Sequence, residues 1–287
     1  MSTIEGLQFF ESAQECQTDR LQTPLIAKAI SLIQSYGRFF TYFADKTYQT
    51  LTYTVDAQMT DPVSLSKKKL VVCLHGLNNN PRQFKQILKE MGNPADTDIY
   101  IPYVLDKGNG PLDDMVQPIF DKIAEWAKTD GDKELVLVGI SNGGRVARAI
   151  EARLKEANKG NIKKLRFVSI VGACRGSSLA TLAQRLHLSW LMRKNISAEM
   201  PTNSARIQKL NAKWTKRLDN TNLQREYFFI ASPHDWHVPN YDSTLMEVPK
   251  KFPAHYAIAT GHGHNSIVNG SAKAIAEIIL KDYQDPI

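Results

Sequence analysis

The pattern of hydrophobic and polar positions changes character near residue 67 of the 287-residue chain. Before it, Leu25, Ile26, Ala29, Ile30, Leu32, Ile33, Tyr36, Phe40 and Phe43 recur at intervals of three and four, with Lys28, Ser31, Ser35 and Arg38 between them. That period predicts an amphipathic helix, opened by Thr23-Pro24, whose simplest use is to pack on the domain that follows. Thr50–Val55 alternates like a strand. After Lys67-Lys68-Lys69, short apolar runs alternate with helical stretches. Leu70–Leu74, Asp98–Val104, Glu134–Val138, Leu165–Val171, Tyr227–Ala231 and His255–Ala259 read as strands. Pro81–Met91, Asp113–Lys128, Gly144–Ala157 and Ser271–Tyr283 read as helices, the last with Ser271 as its N-cap. Strands that are apolar throughout and alternate with helices predict an α/β fold, a mostly parallel sheet with helices on both faces.

The segment Leu135-Val136-Leu137-Val138-Gly139-Ile140-Ser141-Asn142-Gly143-Gly144-Arg145 carries the strongest chemical signal. It is a strand, then G-x-S-x-G, then the start of a helix. A serine on so sharp a turn has almost no room around it, and glycines two before and two after let the turn close. Its hydroxyl then projects above the sheet. The next amide, that of Asn142, lies at a helix N-terminus, where a developing negative charge is favoured.

This segment resembles the nucleophile elbow of α/β-hydrolases, in particular their lipase and esterase group. Val71-Val72-Cys73-Leu74-His75-Gly76-Leu77 is similar to the strand and His-Gly loop of that group. Ile170–Ala180 matches in part a third loop, with Gly172-Ala173-Cys174 in place of its Thr-Pro-His. The resemblance covers about residues 70–283. It implies the α/β-hydrolase fold with a helical lid insertion at about 177–224, inside a domain spanning 67–287. Residues 1–66 are then an N-terminal helical extension packed on the core. It also implies the Leu77 amide as second oxyanion donor beside that of Asn142, with Gly76 and His75 in supporting roles and His75 a structural loop residue rather than a base.

The family order of nucleophile, acid, base directs the search for partners. No Asp or Glu lies between Glu156 and Glu199, which excludes an acid directly after the strand ending at Val171. Asp235 follows the next strand, in a D-x-x-V-P spacing similar to the family's acid loop, and Asp242 is the alternative. Two histidines compete for the base. His264 precedes Asn265-Ser266-Ile267, which resembles the family's H-x-S-[IL] pattern, and His262 is its rival. The expected activity is a serine hydrolase cleaving carboxylic esters through Ser141, His264 and Asp235. An acyltransferase, thioesterase or peptidase would use the same triad, and a non-catalytic binding protein would share the fold. His234, His237, His262 and His264 also invite a metal reading, but neither pair has i, i+4 helix spacing and the cysteines lie elsewhere. No metal and no cofactor is expected.

Composition narrows the setting. With 43% hydrophobic and 23% charged residues the chain has the make-up of an ordinary globular protein. It has no apolar run of roughly 18 residues, so no transmembrane helix is expected. Glu5 and Glu11 with no basic leader argue against a signal peptide, so a cytoplasmic location, or export by a non-standard route, is expected. Cys16, Cys73 and Cys174 cannot build a disulfide framework. The net charge of +7 is concentrated between Arg145 and Asp219, with 17 Lys and Arg against 4 Asp and Glu. Leu179, Leu182, Leu186, Leu188, Trp190, Leu191 and Met192 make the expected lid apolar as well. An apolar, basic lid suits an acyl-ester substrate, with lipid as one candidate and peripheral association with an anionic membrane as another expectation. Specific nucleic-acid binding is not expected.

Overall fold

The computed structural model describes residues 3–4, 6–22, 29–30, 33, 65–154, 161–187, 192, 194–218 and 223–281. The chain opens with β1 (Thr3–Ile4), β2 (Leu7–Phe10) and α1 (Ala13–Gln22). There follow β3 (Lys69–Leu74), a 3-10 turn Pro81–Phe84 continued by α2 (Lys85–Met91), β4 (Thr97–Tyr100), α3 (Leu112–Trp126) and β5 (Lys133–Ile140). Next come α4 (Asn142–Glu151), β6 (Ile162–Ile170), α5 (Ser178–Arg185), α6 (Lys194–Glu199) and α7 (Ala205–Arg217). The chain closes with β7 (Gln224–Ala231), α8 (Tyr241–Thr244), β8 (Ala254–Ala259), α9 (Ile267–Gly270) and α10 (Ala272–Leu280).

The eight strands among the described residues form one sheet in the order β1-β2-β8-β7-β6-β5-β3-β4. The pairs among β3 to β8 are parallel. Successive side chains point to opposite faces, so a strand covered on both faces must be apolar throughout. In β3, Leu70, Val72 and Leu74 enter one core layer, while Val71 and Cys73 enter the other. The first layer is closed by α3, α4 and α7, through residues such as Val116, Ile150 and Trp214. The second is closed by α2 and α10, through Ile87, Ile275 and Ile279. The helix α10 begins beside Ser271 as expected, but the Ser271 side chain makes no capping bond.

Three expectations need correction. First, Asp98–Val104 is not a strand throughout. β4 stops at Tyr100, and Pro102 lacks the N–H a ladder needs. Second, the start of the chain is not only a helical extension. β2 pairs antiparallel with β8, Leu7 opposite Ala259 and Phe10 opposite Tyr256, and β1 folds back on β2. Leu7 and Phe9 join one core layer and Phe10 the other. Four residues are too few to show a period, so only the partner strand defines this one. The helix expected over 25–43 and the strand over 50–55 lie outside the described residues, apart from Ala29, Ile30 and Ile33, which are helical and exposed.

Third, much of the expected lid belongs to the core. On α7, Leu210 and Trp214 sit in the main hydrophobic layer with Leu218. The Trp214 indole donates to Glu151 at 2.7 Å, and Glu151 also accepts from the Tyr227 hydroxyl at 2.6 Å and pairs with Arg225 at 3.3 Å. This buried node fastens α7 to α4 and β7. Among the described residues of that stretch, α5 and α6 remain as candidates to cover a site, with Ala180, Ile196 and Met200 packed on Ala173 and Val238. Leu188, Trp190, Leu191 and Arg193 lie outside the described residues. The basic stretch is also less of a surface than its composition implies, because Arg145, Arg148 and Arg166 are fully buried.

Candidate active site

The parallel strands all end on the same edge of the sheet, so the loops after them converge there. The strand order also reverses at β3, which has β4 on one side and β5 on the other. Ser141 follows β5, His75-Gly76-Leu77 follows β3, Asp235 follows β7 and His264 follows β8.

Ser141 occupies a strained turn, with φ +55 and ψ −122. A non-glycine residue there costs on the order of 1–3 kcal/mol and persists only where its surroundings over-determine it. The surroundings do so. The Ser141 amide donates to Ile170 O at 3.0 Å, and its carbonyl accepts from the amides of Gly144 at 3.0 Å and Ala173 at 2.9 Å. The glycines are steric necessities. A Cβ on Gly139 would lie 2.5 Å from the Gly143 backbone, and one on Gly143 would lie 1.9 Å from Leu74 O. Across the gap, Gly76 approaches so closely that its Cβ would stand 3.0 Å from that of Ser141. Val171, next to this turn, also has a positive φ, of +44. That is rare for a β-branched residue, and no sequence signal announced it.

The structure brings three of the expected residues into one line. His264 Nε2 lies 2.8 Å from Ser141 Oγ, and His264 Nδ1 lies 2.8 Å from Asp235 Oδ2. Each of the three side chains is buried. Asp235 Oδ1 accepts from the amides of His237 and Val238, both at 2.8 Å. Burial by itself would raise the Asp235 carboxyl, but the adjoining His264 ring and these two amides outweigh it and hold the group below its usual range. Asp235 is therefore a carboxylate at neutral pH, and His264 donates to it from Nδ1.

The rivals fall elsewhere. Asp242 lies on α8 and accepts from Asn240 Nδ2 at 3.0 Å. The His262 ring lies over Gly270, where a Cβ would meet Cε1 at 1.8 Å, and its carbonyl accepts from the Ser232 hydroxyl. His237, which the sequence reading did not place in the site, stacks on His264 with centroids 4.6 Å apart and rings tilted by 28°. Asp235, His237 and His264 offer ligand atoms within 4.8 Å of one another, close enough for a metal ion. Both nitrogens of His264 are already engaged, so a metal there would have to break its bond to Ser141 or to Asp235.

The Asn142 amide opens α4, where the first N–H groups have no intrahelical partner. In the β3 loop, the Gly76 amide is occupied by Gln83 Oε1 at 2.9 Å, and Leu77 follows it. His75 is wholly buried, accepting from the Val104 amide on Nε2 at 2.9 Å and donating from Nδ1 to Gly76 O at 3.0 Å. Both bonds hold the β3 loop in place and none reaches Ser141. Burial pushes His75 from 6.5 to about 4, against a small opposing effect of the Gly76 carbonyl. The folded state therefore resists a proton that the unfolded chain accepts below about 6.5, and stability falls as pH drops from there towards 4. We expect this group to remove about 3 kcal/mol of unfolding free energy across that window. Urea titrations at pH 7 and pH 4.5 check it, since His75→Gln should show a distinctly shallower acid loss than the native chain.

Cys16, Cys73 and Cys174 are all buried free thiols. Among the described residues, no helix is long and apolar enough to cross a membrane.

Comparison with protein-family models and with curated proteins returned no match. Solved structures do match. Lipase B of Aspergillus fumigatus superposes with a TM-score of 0.54 at 12% identity, over 78% of this chain and 57% of that one. This chain thus spans little more than half the length of that lipase. Est1E of Butyrivibrio proteoclasticus gives a TM-score of 0.48 at 16% identity, over 78% of this chain and 94% of that one. An extracellular α/β-hydrolase of a Paenibacillus species gives 0.47 at 15% identity, over 75% and 99%. The parallel order of β3 to β8, the elbow after β5 and the likeness to the fungal lipase agree, and the chain has the α/β-hydrolase fold.

Proposed function

We propose that this protein is a serine hydrolase that cleaves carboxylic esters. The observation that supports this most is the unbroken line from Asp235 through His264 to Ser141, with both contacts at 2.8 Å. In this reading His264 Nε2 takes the Ser141 proton as Oγ attacks the acyl carbonyl. Asp235 keeps the proton on Nδ1 and stabilises the imidazolium. The amides of Asn142 and Leu77 receive the oxyanion. His264 then gives its proton to the leaving alcohol, and water releases the acyl group by the same steps in reverse order.

The substrate class is read from the rim. Leu179, Leu182 and Leu186, on and just after α5, are exposed, and so is Trp236 beside the acid. α5 is tied to the acid loop, because the Ser177 hydroxyl donates to His237 O at 2.7 Å and the Ser178 amide to Asn240 Oδ1 at 3.0 Å. Exposed leucines on a helix tied to the acid loop suit a medium or long acyl chain, and Arg185 on the same helix suits an anionic lipid surface. Each methylene that leaves water contributes about 0.8 kcal/mol. We therefore expect kcat/KM on nitrophenyl esters to rise at least about tenfold from acetate to octanoate. A series from acetate to palmitate, run beside phosphatidylglycerol vesicles, checks this. Acetate as the best substrate would remove the lipid reading, and turnover of no ester at all would remove the esterase reading.

A further inference from the structure

The two candidate oxyanion donors sit on different loops, Asn142 after β5 and Leu77 after β3. Such donors work only when both lie about 3 Å from one oxygen, and a misplacement of about 1 Å costs on the order of 10²-fold in rate. Something must hold the two loops in register, and the hydrogen bonds among Asp235, His264 and Ser141 do not, because they join side chains and none reaches the β3 loop.

A short turn lies between them. Asp106 and Lys107 have φ of +50 and +53, and Gly108 follows at +78. Two successive non-glycine residues in the left-handed region are costly and persist only where neighbours force them. On one side the turn grips the β3 loop. The Asn78 amide donates to Lys107 O at 2.8 Å, and Asn109 Nδ2 donates to Asn78 Oδ1 at 3.0 Å and to Asp106 O at 2.9 Å. Gly108 stands so near that a Cβ on it would lie 3.0 Å from Gly76 O. On the other side the turn grips the elbow, where Asn142 Nδ2 donates to Gly108 O at 2.8 Å. The residue whose amide faces the oxyanion thus uses its side chain to hold the neighbouring loop.

A second tie comes from α6. Arg145 Nε donates to Asn142 Oδ1 at 2.8 Å, and its guanidinium pairs with Glu199 at 3.2 Å. Glu199 also accepts from the Leu112 amide at 3.1 Å, and Asn195, on the same helix, donates to Asn109 O at 3.3 Å. Arg145, Asn142 and Asn109 are all nearly or wholly buried.

We propose that the Asn142 and Asn109 side chains are positioning residues that clamp the two oxyanion loops together through the turn 106–108, and that Arg145 and Glu199 tie this clamp to α6. The inference rests on Ser141 being the nucleophile. Its signature is loss of transition-state binding with the substrate ground state unaffected.

The test uses the full chain and its best nitrophenyl ester. An alkyl boronic acid serves as the tetrahedral probe, its boron bonding to Ser141 Oγ while the serine proton passes to His264. Asn142→Ala keeps the backbone amide but cuts the clamp. Asn109→Ala cuts it from the other side. Both should lower kcat about 10- to 100-fold and weaken the boronate by a similar factor, with KM within about twofold. The double variant should cost little more than the worse single one, because both break the same clamp. Glu199→Ala should show a smaller loss that Glu199→Gln, which keeps an acceptor, largely restores. Melting curves accompany each variant, and if Asn142→Ala does not fold, Asn109→Ala and the Glu199 pair decide. A folded variant with native boronate affinity, or a loss confined to melting temperature, overturns the proposal. A native protein that is neither active on esters nor modified by a fluorophosphonate at Ser141 overturns the nucleophile reading instead.

Discussion

Ser141→Ala is expected to lower ester hydrolysis by about 10⁵-fold or more and to abolish modification by a fluorophosphonate. The Oγ atom lies 2.8 Å from His264 Nε2, the candidate base. In the proposed mechanism its removal would leave His264 with nothing to deprotonate except water, while the amides of Asn142 and Leu77 would still support residual catalysis over the uncatalysed rate. The fold should hardly notice. Alanine keeps the Cβ that packs against Gly76, and the three backbone bonds that enforce the turn involve only the Ser141 amide and carbonyl. A melting temperature within a few degrees of native, with activity gone, separates a chemical role from a structural one. Undiminished labelling in the variant would place the nucleophile elsewhere.

Gly143→Ala is expected to have the largest effect on stability, above about 3 kcal/mol, or to prevent folding. The added methyl would lie 1.9 Å from Leu74 O and 2.7 Å from Leu74 C, both backbone atoms of the central strand β3. Neither can swing aside as a side chain would. Relief requires the start of α4 to move off β3, and that shift carries Ser141 and the Asn142 amide with it. Gly144→Ala is the internal control, since its nearest contacts lie at 3.0 Å and beyond. It should be clearly the milder of the two in urea unfolding. A Gly143→Ala variant with a native urea midpoint would mean that the close approach of α4 to β3 is not required.

The sequence alone determined the middle of the sheet and the loops on which the candidate site is built. β3, β5, β6, β7 and β8 read as strands because both of their faces are largely buried, so apolar residues predominate on both sides of each, with Arg166 and Ser169 of β6 as polar exceptions. The elbow was legible because its glycines are demanded by contacts between close neighbours, with Gly139 against Gly143 four residues on. Asp235 was within reach because the chain has no acid between Glu156 and Glu199. What tertiary structure alone decided depends on partners far away in sequence. The Leu7–Phe10 strand exists only opposite β8. His264 and His262 are two residues apart in a loop, and the choice between them lies in which ring meets Ser141 and which covers Gly270. The cations of the basic stretch looked alike until Arg145, Arg148 and Arg166 proved to be buried. The left-handed turn at Asp106–Gly108 had no sequence signature, because aspartate and lysine adopt that conformation only when Asn78, Asn109 and Asn142 hold them there. A pattern along the chain reports which face of an element is buried. It does not report which side chain, from which distant loop, comes to lie against it.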